Sequence, residues 1–195
     1  MALQKMLILR GNNGDAKAGY PDEQGNNVDW PIGALHVQAA SEYAKRRGYD
    51  PVVLPVSGYP QSQHSPQAKA ALAAFLDPKD SSVAAFYGFS GGGYNLKHIL
   101  DYLARHERQS LKRIALVVVI GAPNKRGGKA LYKPSHYSKD ASWEVVFRTN
   151  PQHSQLPPGL PKGTGTHMFG PDVLLAGWPE NYKPPAAEHH SSKKK

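Results

Sequence analysis

Residues 83–103 read Val-Ala-Ala-Phe-Tyr-Gly-Phe-Ser-Gly-Gly-Gly-Tyr-Asn-Leu-Lys-His-Ile-Leu-Asp-Tyr-Leu. The first five are apolar and predict a buried strand, Val83–Tyr87. Glycines follow at once. Leu96, Ile99, Leu100 and Leu103 then recur at helical spacing and predict an amphipathic helix over Tyr94 to Glu107. Between strand and helix sits Gly88-Phe89-Ser90-Gly91-Gly92, a G-x-S-x-G pattern. A nucleophilic serine needs a sharp, strained turn to lift its hydroxyl above a sheet. Gly88 and Gly92, two residues to either side, let strand and helix pass without side-chain collision. The helix then aims its positive end and free N–H groups at the turn. Two other uses of the same residues stay open. Ser90 could simply cap the helix, or the glycines could cradle a phosphate. For phosphate, the chain lacks the G-K-[ST] of a P-loop and the G-x-G-x-x-G spacing.

Outward from this stretch the chain alternates strands and helices. Lys5–Leu9 and Pro51–Val56 are short apolar runs that predict strands, and Ile114–Ile120 is almost wholly apolar, as in a central parallel strand. Trp143–Arg148 is a further strand. Helices are expected over Ile32 to Arg47, after the Ser65-Pro66 cap signal, and over Pro171 to Trp178. Asn12 to Pro31 is rich in Gly, Asn and Asp and reads as loop. The order predicts an α/β fold, a three-layer sandwich with a mainly parallel sheet flanked by helices. Its site should lie beyond the carboxyl ends of the strands.

The 195 residues suit one domain over 1–182. Residues 183–195, ending in EHHSSKKK, offer nothing apolar to bury and are expected to be a disordered tail. Three charges of the net +9 belong to Lys193, Lys194 and Lys195. No stretch interleaves basic and aromatic residues as a nucleic-acid groove would, so no nucleic-acid partner is expected. The absence of cysteine excludes disulfides, thiolate metal sites and a Cys nucleophile. The apolar run near the start is too short for a signal h-region or a membrane span. A cytoplasmic protein with no membrane partner is the simplest expectation.

The chain resembles the α/β-hydrolase superfamily, and more loosely its lipases and esterases. The resemblance runs from about Met6 to Trp178. It rests on the elbow Gly88–Gly92, on the element order, and on Ile120-Gly121-Ala122-Pro123 followed by Arg126-Gly127-Gly128. Lys5–Leu9 would match the family's third strand, making this a minimal α/β-hydrolase fold without the first two. The family order of nucleophile, acid and base then implies Ser90, an acid after Trp143–Arg148, and His167 in Gly165–Gly170. The acid position holds Asn150, which can orient a histidine but carries no charge. The implied oxyanion hole is the N–H of Gly91 and the N–H of Asn12, in Arg10-Gly11-Asn12, where the family often has His-Gly-X.

The implied activity is hydrolysis of a carboxylic ester or related acyl bond through an acyl-serine. No cofactor or metal is expected, and the partner is a small acyl or ester substrate. Tyr20, Trp30, Tyr59 and Tyr87 are possible substrate contacts. No long apolar insertion suggests a lid, which favours a modest carboxylester over an aggregated lipid. Acyl transfer uses the same parts. A non-catalytic ligand-binding protein on the same scaffold is the alternative that Asn150 and Arg10 leave open.

Overall fold

The computed structural model describes residues 3–12, 18–21, 27–30, 32–120, 122, 125–126, 129–130 and 132–148. Its elements in chain order are β1 (Lys5–Leu9), β2 (Ala18–Pro21), β3 (Asn27–Trp30), α1 (Ile32–Arg46), β4 (Asp50–Val53), α2 (Pro66–Phe75), β5 (Val83–Phe89), α3 (Gly91–His106), β6 (Leu116–Ile120), β7 (Lys125–Arg126), β8 (Lys129–Ala130) and β9 (Glu144–Arg148). Short 3-10 turns cover Arg108–Arg113 and Pro134–His136.

Five strands form one sheet in the order β4-β1-β5-β6-β9, and every pairing in it is parallel. This is the α/β class expected from the alternating pattern. The order also fixes the helices. From β1 the chain steps sideways through α1 to β4, then returns through α2 past β1 to β5. Right-handed crossovers that run in opposite directions must lie on opposite faces. The two apolar clusters show this division. Leu7, Leu9, Phe86, Val117 and Val119 face Phe75, Leu96, Ile99, Leu100 and Leu103 of α2 and α3. Met6, Ile8, Ala85, Tyr87, Val118 and Ile120 face Ala39, Ala40 and Ala44 of α1. Along β1, β6 and β5 from Ala85 onward, neighbouring residues alternate between the faces, as strand geometry requires. At the start of β5 the register with β1 shifts, and Val83 and Ala85 lie on opposite faces. Because both faces are covered, the central strands are apolar throughout.

Several boundaries differ from the sequence expectation. Residues 18–21 and 27–30 pair as an antiparallel hairpin inside the stretch read as loop. The strand expected over Pro51–Val56 is Asp50–Val53. The elbow helix begins at Gly91, three residues before Tyr94. The helix expected over Pro171–Trp178 and the tail lie outside the described residues. No helix among the described residues is long and apolar enough to cross a membrane.

The Ser65-Pro66 signal is realised as a cap. Ser65 Oγ accepts the N–H of Ala68 at 3.0 Å, and Pro66 opens the helix. Replacing Ser65 by Ala removes that acceptor at a buried position. The variant should lose about 1 kcal/mol of stability, seen as a fall in Tm of about 2–4 °C by calorimetry.

Candidate functional site

Ser90 lies between the last residue of β5 and the first of α3, with φ 49° and ψ −117°. Among the described non-glycine residues it has the one positive φ. Such a conformation costs a non-glycine residue about 1–3 kcal/mol and persists only where the surroundings over-determine it. They do so here. The Ser90 N–H donates to Ile120 O at 2.8 Å, tying the turn to β6. The Ser90 carbonyl accepts from Gly93 N–H at 2.9 Å and Tyr94 N–H at 3.3 Å, which starts the helix. The Ser90 side chain makes no capping hydrogen bond. The capping reading of this serine therefore fails.

The glycines of the elbow are there for space. A Cβ on Gly88 would stand 2.8 Å from Gly93 Cα and 2.9 Å from Gly92 O. A Cβ on Gly92 would collide with Leu9 O and lie 2.6 Å from Arg10 O, both at the end of β1. A Cβ on Gly58 would lie 2.8 Å from both Arg10 O and Gly92 N. Three backbone segments thus cross with no side chain between them: the end of β1, the loop at Gly58 and the first turn of α3.

This crossing unites two of the expected residues. The backbone N of Asn12 is 3.2 Å from where a Gly91 Cβ would be, and the Asn12 side chain fills that spot. The Asn12 amide is itself held, since Gln61 Nε2 donates to its Oδ1 at 2.9 Å. Gly91 is the first residue of α3, so its N–H has no carbonyl to reach within the helix. The expected oxyanion pair, Gly91 and Asn12, therefore lies beside the expected nucleophile. His167 and Asn150 lie outside the described residues. β9, however, ends at Arg148 opposite Ile120, the residue that holds Ser90. Ser90 and Arg148 are thus at the same end of the sheet, and Arg148 is two strand spacings, roughly 10 Å, from the elbow strand.

A buried polar network fixes the Gly58 loop, and the sequence reading did not identify it. Asn95 Nδ2 donates to Gly58 O at 2.9 Å and to Gln67 Oε1 at 3.0 Å, and Asn95 Oδ1 accepts from Ser62 N–H at 3.1 Å. Gln67 Nε2 donates to Arg10 O at 3.0 Å and to Val56 O at 2.9 Å. Asn95 and Gln67 are both fully buried. The signal available in sequence was an Asn in the first turns of a strongly amphipathic helix, next to its apolar stripe. Its partners, far away along the chain, were not readable.

Of the aromatic residues proposed as contacts, Tyr59 is exposed. Tyr87 is buried and packs its ring 6.2 Å from that of Tyr43. The side chains of Tyr20 and Trp30 lie outside the described residues. His98, on α3, has its pKa lowered by burial and secondarily by Lys97, partly offset by Asp101. His106 packs its ring at a tilt against that of Tyr102, with centroids 4.7 Å apart.

No family model, curated protein or solved structure matches this chain.

The network generates a test. Asn95→Ala leaves Gly58 O and Gln67 Oε1 without their partner in a buried setting, and Ser62 N–H without its acceptor in a half-buried one. Each such group costs about 1–3 kcal/mol, so urea denaturation should show a loss of about 3 kcal/mol or more. Asn95→Asp keeps the Oδ acceptor for Ser62 N–H but loses the donor to Gly58 O and Gln67 Oε1, and should also be destabilised.

Proposed function

We propose that this protein is a serine hydrolase that cleaves a carboxylic ester or related acyl bond through an acyl-Ser90 intermediate. The observation that carries the reading is the backbone of Ser90. A strained serine at a strand-to-helix corner, not used as a cap and flanked by two candidate oxyanion donors, matches what an activated nucleophile requires. The all-parallel sheet, with Ser90 beyond its carboxyl edge, supports the same reading. The resemblance to the α/β-hydrolase elbow supplies the family's order of roles.

In this reading Ser90 Oγ attacks the acyl carbon as its proton passes to His167. The carbonyl oxygen becomes an oxyanion held by the N–H groups of Gly91 and Asn12. Collapse breaks the ester C–O bond, and the leaving alcohol takes the proton from His167. Water then repeats the sequence and frees the acid. Asn150 would orient the imidazole through its side-chain oxygen without contributing charge. His167 follows Arg148 by nineteen residues, ample chain to return to the elbow at about 3.3 Å per residue. Acyl transfer to an acceptor other than water would use the same groups.

A fluorophosphonate probe tests the reading. The wild-type protein should form one covalent adduct, mapped to Ser90 by mass spectrometry, and hydrolyse p-nitrophenyl esters. Ser90→Ala should take no label and lose about 10⁶-fold in kcat, and His167→Ala should fall comparably. A wild type that neither labels nor turns over ester, or a Ser90→Ala variant that labels equally, would contradict it.

A further inference from the structure

Asn12 lies past the end of β1, beyond the last rung of the ladder with β5, where Leu9 stands opposite Gly88. The sheet therefore does not hold it. A group that serves in catalysis has to be kept within about 0.5 Å of its productive position, so something other than the strand must fix Asn12. The loop at Gly58 does so twice. Gly58 N–H donates to Gly11 O at 2.8 Å, and Gln61 Nε2 donates to Asn12 Oδ1 at 2.9 Å. The second bond joins two side chains 49 residues apart in the chain. Gln61 is exposed, and ordering a long exposed side chain costs conformational entropy. Here its backbone stands on a fixed base. Gly58 O and Ser62 N–H, on either side of it in sequence, are both bonded to the side chain of buried Asn95. A continuous path of hydrogen bonds and backbone thus runs from the buried network through Gln61 to the carboxamide of Asn12.

That carboxamide matters because of where it sits. It fills the space over Gly91 that a Cβ would need, and the backbone N of Asn12 is 3.2 Å from the same point. It therefore packs against both proposed oxyanion donors. Its oxygen is an acceptor. Left free to turn, it would compete with a substrate oxygen for the Gly91 N–H, and the Asn12 backbone would turn with it. A bond to Gln61 engages that oxygen from the side of the loop and keeps the carboxamide in one orientation.

We infer that Gln61 is a positioning residue for this site: its hydrogen bond to Asn12 holds the second oxyanion donor in register with the first. The inference rests on the hydrolase reading above. Gln61 acts through Asn12 and not on the substrate.

The test is a double-mutant cycle read by hydrolysis of p-nitrophenyl acetate. Deleting an oxyanion donor outright costs about 100–1000-fold in rate. Gln61→Ala keeps the donor but loosens it, so kcat should fall by a part of that, about tenfold. KM should stay within about twofold, because the bond serves the transition state. Tm should stay within about 2 °C, because the residue is exposed. Gln61→Glu keeps the shape but sets an ionised acceptor against the Asn12 oxygen, so it should be at least as slow as Gln61→Ala. Asn12→Ala keeps the backbone N–H and removes the oxygen that Gln61 holds. Adding Gln61→Ala to it should therefore cost less than about twofold more. Suppose the wild type labels at Ser90 and turns over ester, yet Gln61→Glu keeps wild-type kcat or the two alanine losses multiply. The positioning role is then wrong while the hydrolase reading stands. A wild type with neither label nor turnover overturns both.

Discussion

The end of β1, the loop at Gly58 and the first turn of α3 cross at Gly92, Gly58 and Arg10 with no room for a Cβ between them, and the rest of the candidate site depends on that close approach. Gly92 has no room for a Cβ against the carbonyls of Leu9 and Arg10. With that contact made, α3 starts directly beneath the end of β1, and Asn12 arrives over Gly91. The turn between β5 and α3 must then be tight enough to force Ser90 into a positive φ. Packing energy from the two apolar clusters offsets this local strain, since α3 buries Leu96, Ile99, Leu100 and Leu103 completely. The strained serine and the proximity of Asn12 to Gly91 are consequences of one close approach.

The polar network beneath the loop has a related role. A loop at the end of a sheet presents carbonyls and N–H groups that must be satisfied once covered. Asn95 and Gln67 satisfy four of them from helix side chains and from two directions: Gly58 O, Ser62 N–H, Arg10 O and Val56 O. Tyr132 donates its hydroxyl to Gly93 O from the other side of the elbow helix. The first turn of α3 is thereby clamped without using the Ser90 hydroxyl. A rigid support that leaves the serine hydroxyl out of the helix cap is what the proposed nucleophilic chemistry needs.

Much of this was legible in the sequence because the signals are local or periodic. Continuous apolar runs marked β1, β5 and β6, since strands covered on both faces carry no polar alternation. The G-x-S-x-G pattern marked the elbow because no side chain could occupy Gly88 or Gly92. The hairpin at 18–30 was not legible. Its strands are four residues long and contain Gly19 and Pro21, which read as turn. The start of α3 was misjudged because Gly91, Gly92 and Gly93 are poor helix formers held there by tertiary contact. Nor could Asn95 be matched to Gln67, since the pairing depends on how α2 and α3 pack. The proposed base and its proposed orienting group, His167 and Asn150, follow from the family resemblance alone and lie outside the described residues.

The decisive quantity is the geometry at residue 90. A crystal structure of the protein after reaction with a small fluorophosphonate measures it directly. The account predicts a positive Ser90 φ and phosphorus bonded to Ser90 Oγ. It also predicts a phosphoryl oxygen about 2.7–3.1 Å from the N–H groups of Gly91 and Asn12, with the His167 imidazole against the same group. An ordinary negative φ with the hydroxyl turned inward onto the helix N–H groups, or an imidazole of His167 on the far side of the molecule, would contradict it.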